Sequence, residues 1–274
     1  MNEALPGTGP IINRYPYPNF GRIQLVDNAA NGNYNAGSIK LTRRFAKGYS
    51  VLSSYTYAKS IDSSSGIRVQ GADTLFPQNS YCLRCERGRS AFDTRHRFVT
   101  SALYDLPVGK GRSMNVNNSV LNAIVGGWQT GMIMTLQTGF PETISIGGTD
   151  RSGAGGLFDR PNATGADPNL SSRTTNLWIN KDAYVLQPAA TFGNVGRNTF
   201  IGPSFFTLDF SAHKEFNIPR LENHKLQYRF EGFNILNHPV WGTPNGNILS
   251  SGFGQITGTA VSMRQLQMAL KYTF

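Results

Sequence analysis

Long apolar runs are missing: nowhere in the 274 residues do about 18 apolar side chains follow one another, which excludes a helical membrane span. Charge is sparse at 15%, and acids are outnumbered, with 16 Asp and Glu against 26 Lys and Arg. The net charge of +10 raises nucleic acid as a partner. The distribution argues against it. Arg43, Arg44, Lys47, Arg84, Arg87, Arg89, Arg95, Arg97, Lys110, Arg112, Arg173 and Arg197 are spread over strand ends and loops, share no helix face and fall in no nucleic-acid-binding signature. They suit a wet interior, loops, or contact with anionic headgroups.

Reactive motifs are equally thin. Cysteine is limited to Cys82 and Cys85. A zinc site would need a second ligand pair, and His96, His213, His224 and His238 place none nearby. A redox Cys-x-x-Cys expects a helix start after a strand, which Glu86-Arg87-Gly88-Arg89 does not suggest. A local disulfide between Cys82 and Cys85 is preferred, with free thiols and metal or catalytic use left open. His96 lies near Asp93, but no Gly-x-Ser-x-Gly elbow supplies a nucleophile, so the pair reads as a charge cluster at a strand end. Gly153-Ala154-Gly155-Gly156 lacks the Lys-Ser or Lys-Thr of a phosphate loop and reads as a flexible turn. The chain is read as no enzyme, with no catalytic residue, cofactor or metal. The start, Met1-Asn2-Glu3-Ala4-Leu5-Pro6, also lacks the basic and apolar stretches of a secretory signal. A carboxyl-terminal piece of something longer is the expectation.

What is present is apolar and aromatic material, 39% hydrophobic with 17 Phe, 11 Tyr, 3 Trp and 30 Gly, enough for a sizeable ordered fold. It is patterned with period two. In Met263–Phe274, Leu266, Met268, Leu270, Tyr272 and Phe274 share one face while Gln265, Gln267, Lys271 and Thr273 share the other. Twelve such residues reach about 40 Å, which covers an apolar band about 25 Å tall at a tilt of about 45°. Because only every second residue would face lipid, the mean hydropathy of −0.30 is no objection.

Eight segments carry this pattern or a strong β composition: roughly Phe20–Asp27, Tyr34–Phe45, Tyr49–Ser60, Thr94–Leu106, Gly126–Thr138, Phe205–Phe216, His224–Leu236 and Met263–Phe274. In Phe205–Phe216, Phe206, Leu208, Phe210 and Phe216 oppose Thr207, Asp209, Ser211, His213 and Glu215. In His224–Leu236, Leu226, Tyr228 and Phe230 oppose Lys225, Gln227, Arg229 and Glu231. A two-sheet sandwich would give the same alternation. Connection lengths separate the two. On one side lie 28–33, 61–93, 139–204 and 238–262, three of them long, and on the other 46–48, 107–125 and 217–223, two of them tight. Membrane barrels show such asymmetry, although 107–125, with a possible short helix, departs from it. The connection 139–204 is too large to lack structure, and Glu142–Ile146 is a candidate strand within it. Eight to ten antiparallel strands of an all-β transmembrane barrel are expected.

Leu52-Ser53-Ser54-Tyr55-Thr56-Tyr57-Ala58-Lys59-Ser60-Ile61-Asp62, Phe92-Asp93-Thr94-Arg95-His96-Arg97-Phe98, Tyr104-Asp105-Leu106-Pro107-Val108-Gly109-Lys110-Gly111, Gly127-Trp128-Gln129, Phe230-Glu231-Gly232-Phe233-Asn234-Ile235-Leu236-Asn237-His238-Pro239 and the closing strand occur in this order. Nearly the whole chain, residues 1–274, resembles the carboxyl-terminal barrel of Oar-like TonB-dependent receptors, outer-membrane proteins with a carboxypeptidase-regulatory-like domain ahead of the plug. The resemblance implies a bacterial outer-membrane transporter of about 22 strands with a plugged lumen, of which this chain supplies less than half. By the same resemblance, signal peptide, TonB box, plug and the earlier strands are expected to lie outside it. The implied partners are outer-membrane lipid and lipopolysaccharide, the barrel-assembly machinery, and the TonB complex through the plug. Leu266, Met268, Leu270, Tyr272 and Phe274 resemble the terminal signal read by that machinery. A passive porin and a soluble surface β-sandwich are the alternatives.

Aromatic side chains have two readings. Tyr55, Tyr57, Tyr104, Tyr228 and Tyr272 fit an interfacial girdle. Trp178 and Trp241 fall in outer loops, where ligand contact stays open beside the girdle role.

Overall fold

The computed structural model describes residues 2–23, 25–66, 76–218 and 224–274. Seven long strands dominate: β1 Gly32–Ala46, β2 Tyr49–Asp62, β3 His96–Asp105, β4 Trp128–Gln137, β5 Phe205–Asn217, β6 Lys225–Phe233 and β7 Gln265–Thr273. They lie in one antiparallel sheet in chain order, and the short strand Gly88–Arg89, paired with the end of β2, makes it eight-stranded. Sequential neighbours pair throughout, so successive connections fall on alternate ends of the sheet. At the tight end, Lys47 and Gly48 turn β1 into β2 with φ of 53° and 84°, the left-handed pair a two-residue hairpin loop requires.

The register aligns the alternation of every strand. Ile39, Tyr55, Phe98, Leu136 and Phe206 form one row across β1 to β5. Met132, Phe210, Gly232 and Leu266 continue another to β7. Lys40, Ser54, Val99, Thr135 and Thr207 form a row on the opposite face. A slip of one residue at any pairing would carry one strand's apolar side chains to the polar face. The other described sheets have two strands each, so no second layer faces this one as a sandwich needs.

The buried core lies outside the long strands. Ile144, Ile146, Ile179, Val195, Phe200, Ile248 and Phe253 form one cluster, drawn from the connections after β4 and β6. Elements of six residues or fewer build this cap, including Pro141–Glu142 paired with Phe200–Ile201 and Tyr184–Val185 paired with Asn162–Ala163. The strand expected over Glu142–Ile146 is therefore shorter: beyond Glu142, Ser145 makes one bridge to Asn247 while Ile144 and Ile146 turn into the core.

The described residues of Phe20–Asp27 form no strand. Among its described residues only Ile23 is bridged, to Asn2. The Asn2 amide donates to the carbonyls of Tyr17, Phe20 and Gly21, each at 3.0 Å, taking acceptors a ladder would use. Arg14 donates to Gly153 O at 2.6 Å, which ties this segment to the cap. The expected turn 217–223 lies outside the described residues from 219 onward.

Candidate functional site: a two-faced sheet and its loop cap

The polar face lines an open cavity of about 670 Å³ that touches β1 through β6. The sheet must curl around this face for one cavity to meet so many strands. Its lining mixes Lys40, Asp209 and Glu231 with Leu52, Leu103 and Ile133. Farther toward the tight-turn end, Arg229 lies 3.6 Å from Glu231 and Lys225 lies 3.8 Å from Glu215, while Gln129 donates to Asp105 at 2.6 Å. Half-exposed pairs of this kind contribute about 0–1 kcal/mol each. Their consequence is a wet wall studded with both signs of charge, not a stabilising network.

The opposite face is apolar and uncovered. Ile39 is 73% exposed, Leu266 56%, and Met268 and Leu270 66%. A contiguous face like this is stable only against another apolar phase. Its polar exceptions satisfy one another, as Ser53 and Thr100 do at 2.6 Å. Tyr49, Tyr104, Trp128, Tyr228 and Tyr272 mark one end, and Tyr55, Tyr57, Phe98 and Phe206 the other. All five tyrosines assigned to a girdle from the sequence thus stand on the apolar face. Strand lengths run from 9 to 15 residues, enough for a tilted crossing of about 9–11 residues. Among the described residues no helix is long and apolar enough to cross a membrane. Residues 1–267 match the family model described as an outer membrane beta barrel domain. The chain belongs to this family. It is an antiparallel transmembrane β-barrel protein of the bacterial outer membrane, its apolar face toward lipid and its polar face toward the lumen. No curated protein and no solved structure matches it.

The cap is held by buried charge. Arg160 Nη1 donates to Glu86 Oε2 at 2.6 Å and Nη2 to Oε1 at 2.8 Å, both side chains nearly inaccessible. Gln78 closes the group: its backbone N–H donates to Glu86 Oε1 at 3.1 Å and its side-chain oxygen accepts from Arg160 N at 2.6 Å. Arg197 pairs with Asp62 and donates from Nε to Glu86 O at 2.9 Å. The backbones cross tightly. A Cβ on Gly193 would lie 1.8 Å from Arg160 O, and one on Gly88 2.5 Å from Arg197 O. Thus the carboxyl end of β2 and the connections after β2 and β4 form one joint, which the sequence did not reveal because the partners are 74 and 135 residues apart.

Glu142, 4% exposed, has one carboxylate oxygen without a partner. Burial pushes its carboxyl up to about 8 from 4.5. Burial likewise pushes the Tyr184 hydroxyl up to about 12.

Cys82 and Cys85 are joined by a disulfide across the short helical turn Leu83–Glu86, which Cys82 precedes and Cys85 belongs to. Trp178 is half-buried against the cap core, with Arg173 5.7 Å above its ring. Trp241 is bridged to Thr259 in the connection after β6. Leu266, Met268, Leu270 and Tyr272 lie together on the lipid face of β7, and the Phe274 ring is 5.9 Å from that of Tyr272. Among the described residues no three His, Cys, Asp or Glu side chains converge on a point that would hold a metal ion.

Proposed function

We propose that this chain is an arc of a wider transporter barrel, the carboxyl-terminal wall and outer loops of an Oar-like TonB-dependent receptor. The observation that carries the reading is the open sheet. Neither β1 nor β7 pairs with the other, and both are exposed along their whole length. In hydrocarbon each unpaired backbone group costs several kcal/mol, so both edges call for further strands. The elaborate cap supports a receptor over a simple pore, since it places a folded surface above the lumen rather than a loose fringe. Contact with a plug energised through TonB, and uptake or export of a substrate past the cap, follow from this reading. So does assembly through a terminal strand bearing Leu266, Met268, Leu270, Tyr272 and Phe274.

The test is a cryo-electron microscopy structure of the natural gene product extracted from outer membranes. A barrel of about 22 strands with a plug is expected. Closure of β1 on β7 in a barrel of seven or eight strands, with discrete channels in planar bilayers, would replace this reading by the passive porin.

A further inference from the structure

Lys214 stands on the lipid-facing side of β5, directly between Trp128 of β4 and Tyr228 of β6. An unpartnered ammonium there is strongly disfavoured. Its Nζ donates to the carbonyls of Ala123 at 2.6 Å and Asn122 at 3.3 Å. The Trp128 indole donates to the next carbonyl, Ile124 O, at 2.8 Å. Two side chains of the barrel wall thus hold the carboxyl end of the short helix α1, Ser119–Val125, where carbonyls lack intrahelical donors and a cation is favoured.

The clamp puts α1 outside the lumen, against the lipid side of the wall at the short-turn end. Its connection is rigidly built. Asn118 caps the helix by accepting from Val120 N and Leu121 N, both at 3.0 Å. Asn122 Oδ1 accepts from Lys110 N at 2.7 Å, and a Cβ on Gly126 would lie 2.5 Å from that same oxygen. Yet the outward side chains are apolar: Val120 is 72% exposed, Leu121 49% and Ile124 62%. They extend the lipid-facing band at the level of the Trp128–Tyr228 aromatic contact, where the rings meet edge to face at 6.0 Å.

We propose that α1 is a membrane-interface anchor, lying in the phospholipid leaflet on the short-turn side with Val120, Leu121 and Ile124 among the upper acyl chains. Short amphipathic helices seat themselves in this way when one face is apolar and the other is satisfied elsewhere. Here the other face is satisfied by the wall itself. Lys214 serves two roles, neutralising the helix end and removing its own charge from lipid. The anchor rests on membership of the outer-membrane barrel family, not on the receptor reading.

The experiment uses the natural gene product in liposomes of phosphatidylethanolamine and phosphatidylglycerol. Single nitroxide labels are placed by Val120→Cys, Ile124→Cys and Lys110→Cys, and each variant is checked for heat-modifiable mobility. Collision with oxygen and with a water-soluble nickel chelate gives depth. Labels at 120 and 124 should show an oxygen-to-nickel ratio several-fold higher than the label at 110. Equal ratios would place the helix in water, and shielding from both reagents would place it against protein, and either result overturns the proposal. Should a variant lose its mobility shift, Leu121→Cys and Ala123→Cys take the same reading.

Discussion

The guanidinium of Arg160 and the carboxylate of Glu86 meet in a two-pronged contact, at 2.6 and 2.8 Å, that joins the connection after β4 to the connection after β2. Arg197 reaches the same joint from a second direction, donating to Glu86 O and Asp62. The cap therefore grips the sheet through Asp62 at the end of β2 as well as through its own core. A loop assembly built this way keeps a fixed shape at the mouth of the lumen.

Removing one partner of this pair should unfasten the cap. Arg160→Met leaves the Glu86 carboxylate buried without its counter-charge, a loss of about 3–5 kcal/mol, whereas Arg160→Met with Glu86→Leu should recover much of it. Protease treatment of intact cells would read the difference as cleavage within 139–204, with the heat-modifiable shift of the barrel retained. Equal resistance of wild type and Arg160→Met would show that the pair does not hold the cap.

Facing along β7 gives a second expectation. Leu270 stands in the lipid-facing row with Tyr228, and Gln267 in the lumen row with Glu231. A basic residue near the bilayer midplane costs about 2–4 kcal/mol on the lipid face and little in the lumen. Leu270→Arg should therefore reduce folded protein in outer membranes far more than Gln267→Arg does. Equal yields at the two positions would contradict the facing.

The sheet was legible because each long strand repeats one local rule, apolar one way and polar the other. The seven strands of Tyr34–Phe45 and onward, and the facing of Phe206, Tyr228 and Met268, are all written within a few residues of themselves. Phe20–Asp27 has the apolar content of a strand in Phe20, Ile23, Leu25 and Val26, yet its described residues form none, because a ladder depends on its neighbour and Asn2 claims the carbonyls of Phe20 and Gly21. The cap was illegible for a related reason. Its short strands carry no period, and Arg160, Arg197 and Glu142 look like ordinary loop residues until chain segments far apart are brought together. Lys214 interrupts the alternation of β5, and its reason appears only with the carbonyls of α1.

Glu142 makes the cap sensitive to pH. Its folded carboxyl titrates near 8 and its ordinary value is 4.5, so between these the folded cap holds a proton that the opened chain releases. The stability associated with the protonated carboxyl is complete below about 4.5 and is lost as pH rises through about 8. Hydrogen exchange in the described cap residues should accelerate from pH 5 to pH 8.5 beyond its intrinsic base dependence, and Glu142→Gln should remove the excess. An excess that persists in Glu142→Gln would assign it to another group.

Orientation can be read with a membrane-impermeant thiol reagent on intact cells. Long connections belong to the outer side of such barrels and tight ones to the periplasmic side. Asn176 is exposed at the turn between Asn169–Thr174 and Leu177–Ile179 in the cap, and Lys47 is exposed in the tight turn between β1 and β2. Cys82 and Cys85 are already joined and leave the background quiet. Asn176→Cys should label in intact cells, and Lys47→Cys only after the outer membrane is opened. Because the two positions lie in connections that leave opposite ends of one continuous sheet, labelling of Lys47→Cys but not of Asn176→Cys in intact cells would invert the barrel and move the cap, with its Arg160–Glu86 joint, to the periplasmic side.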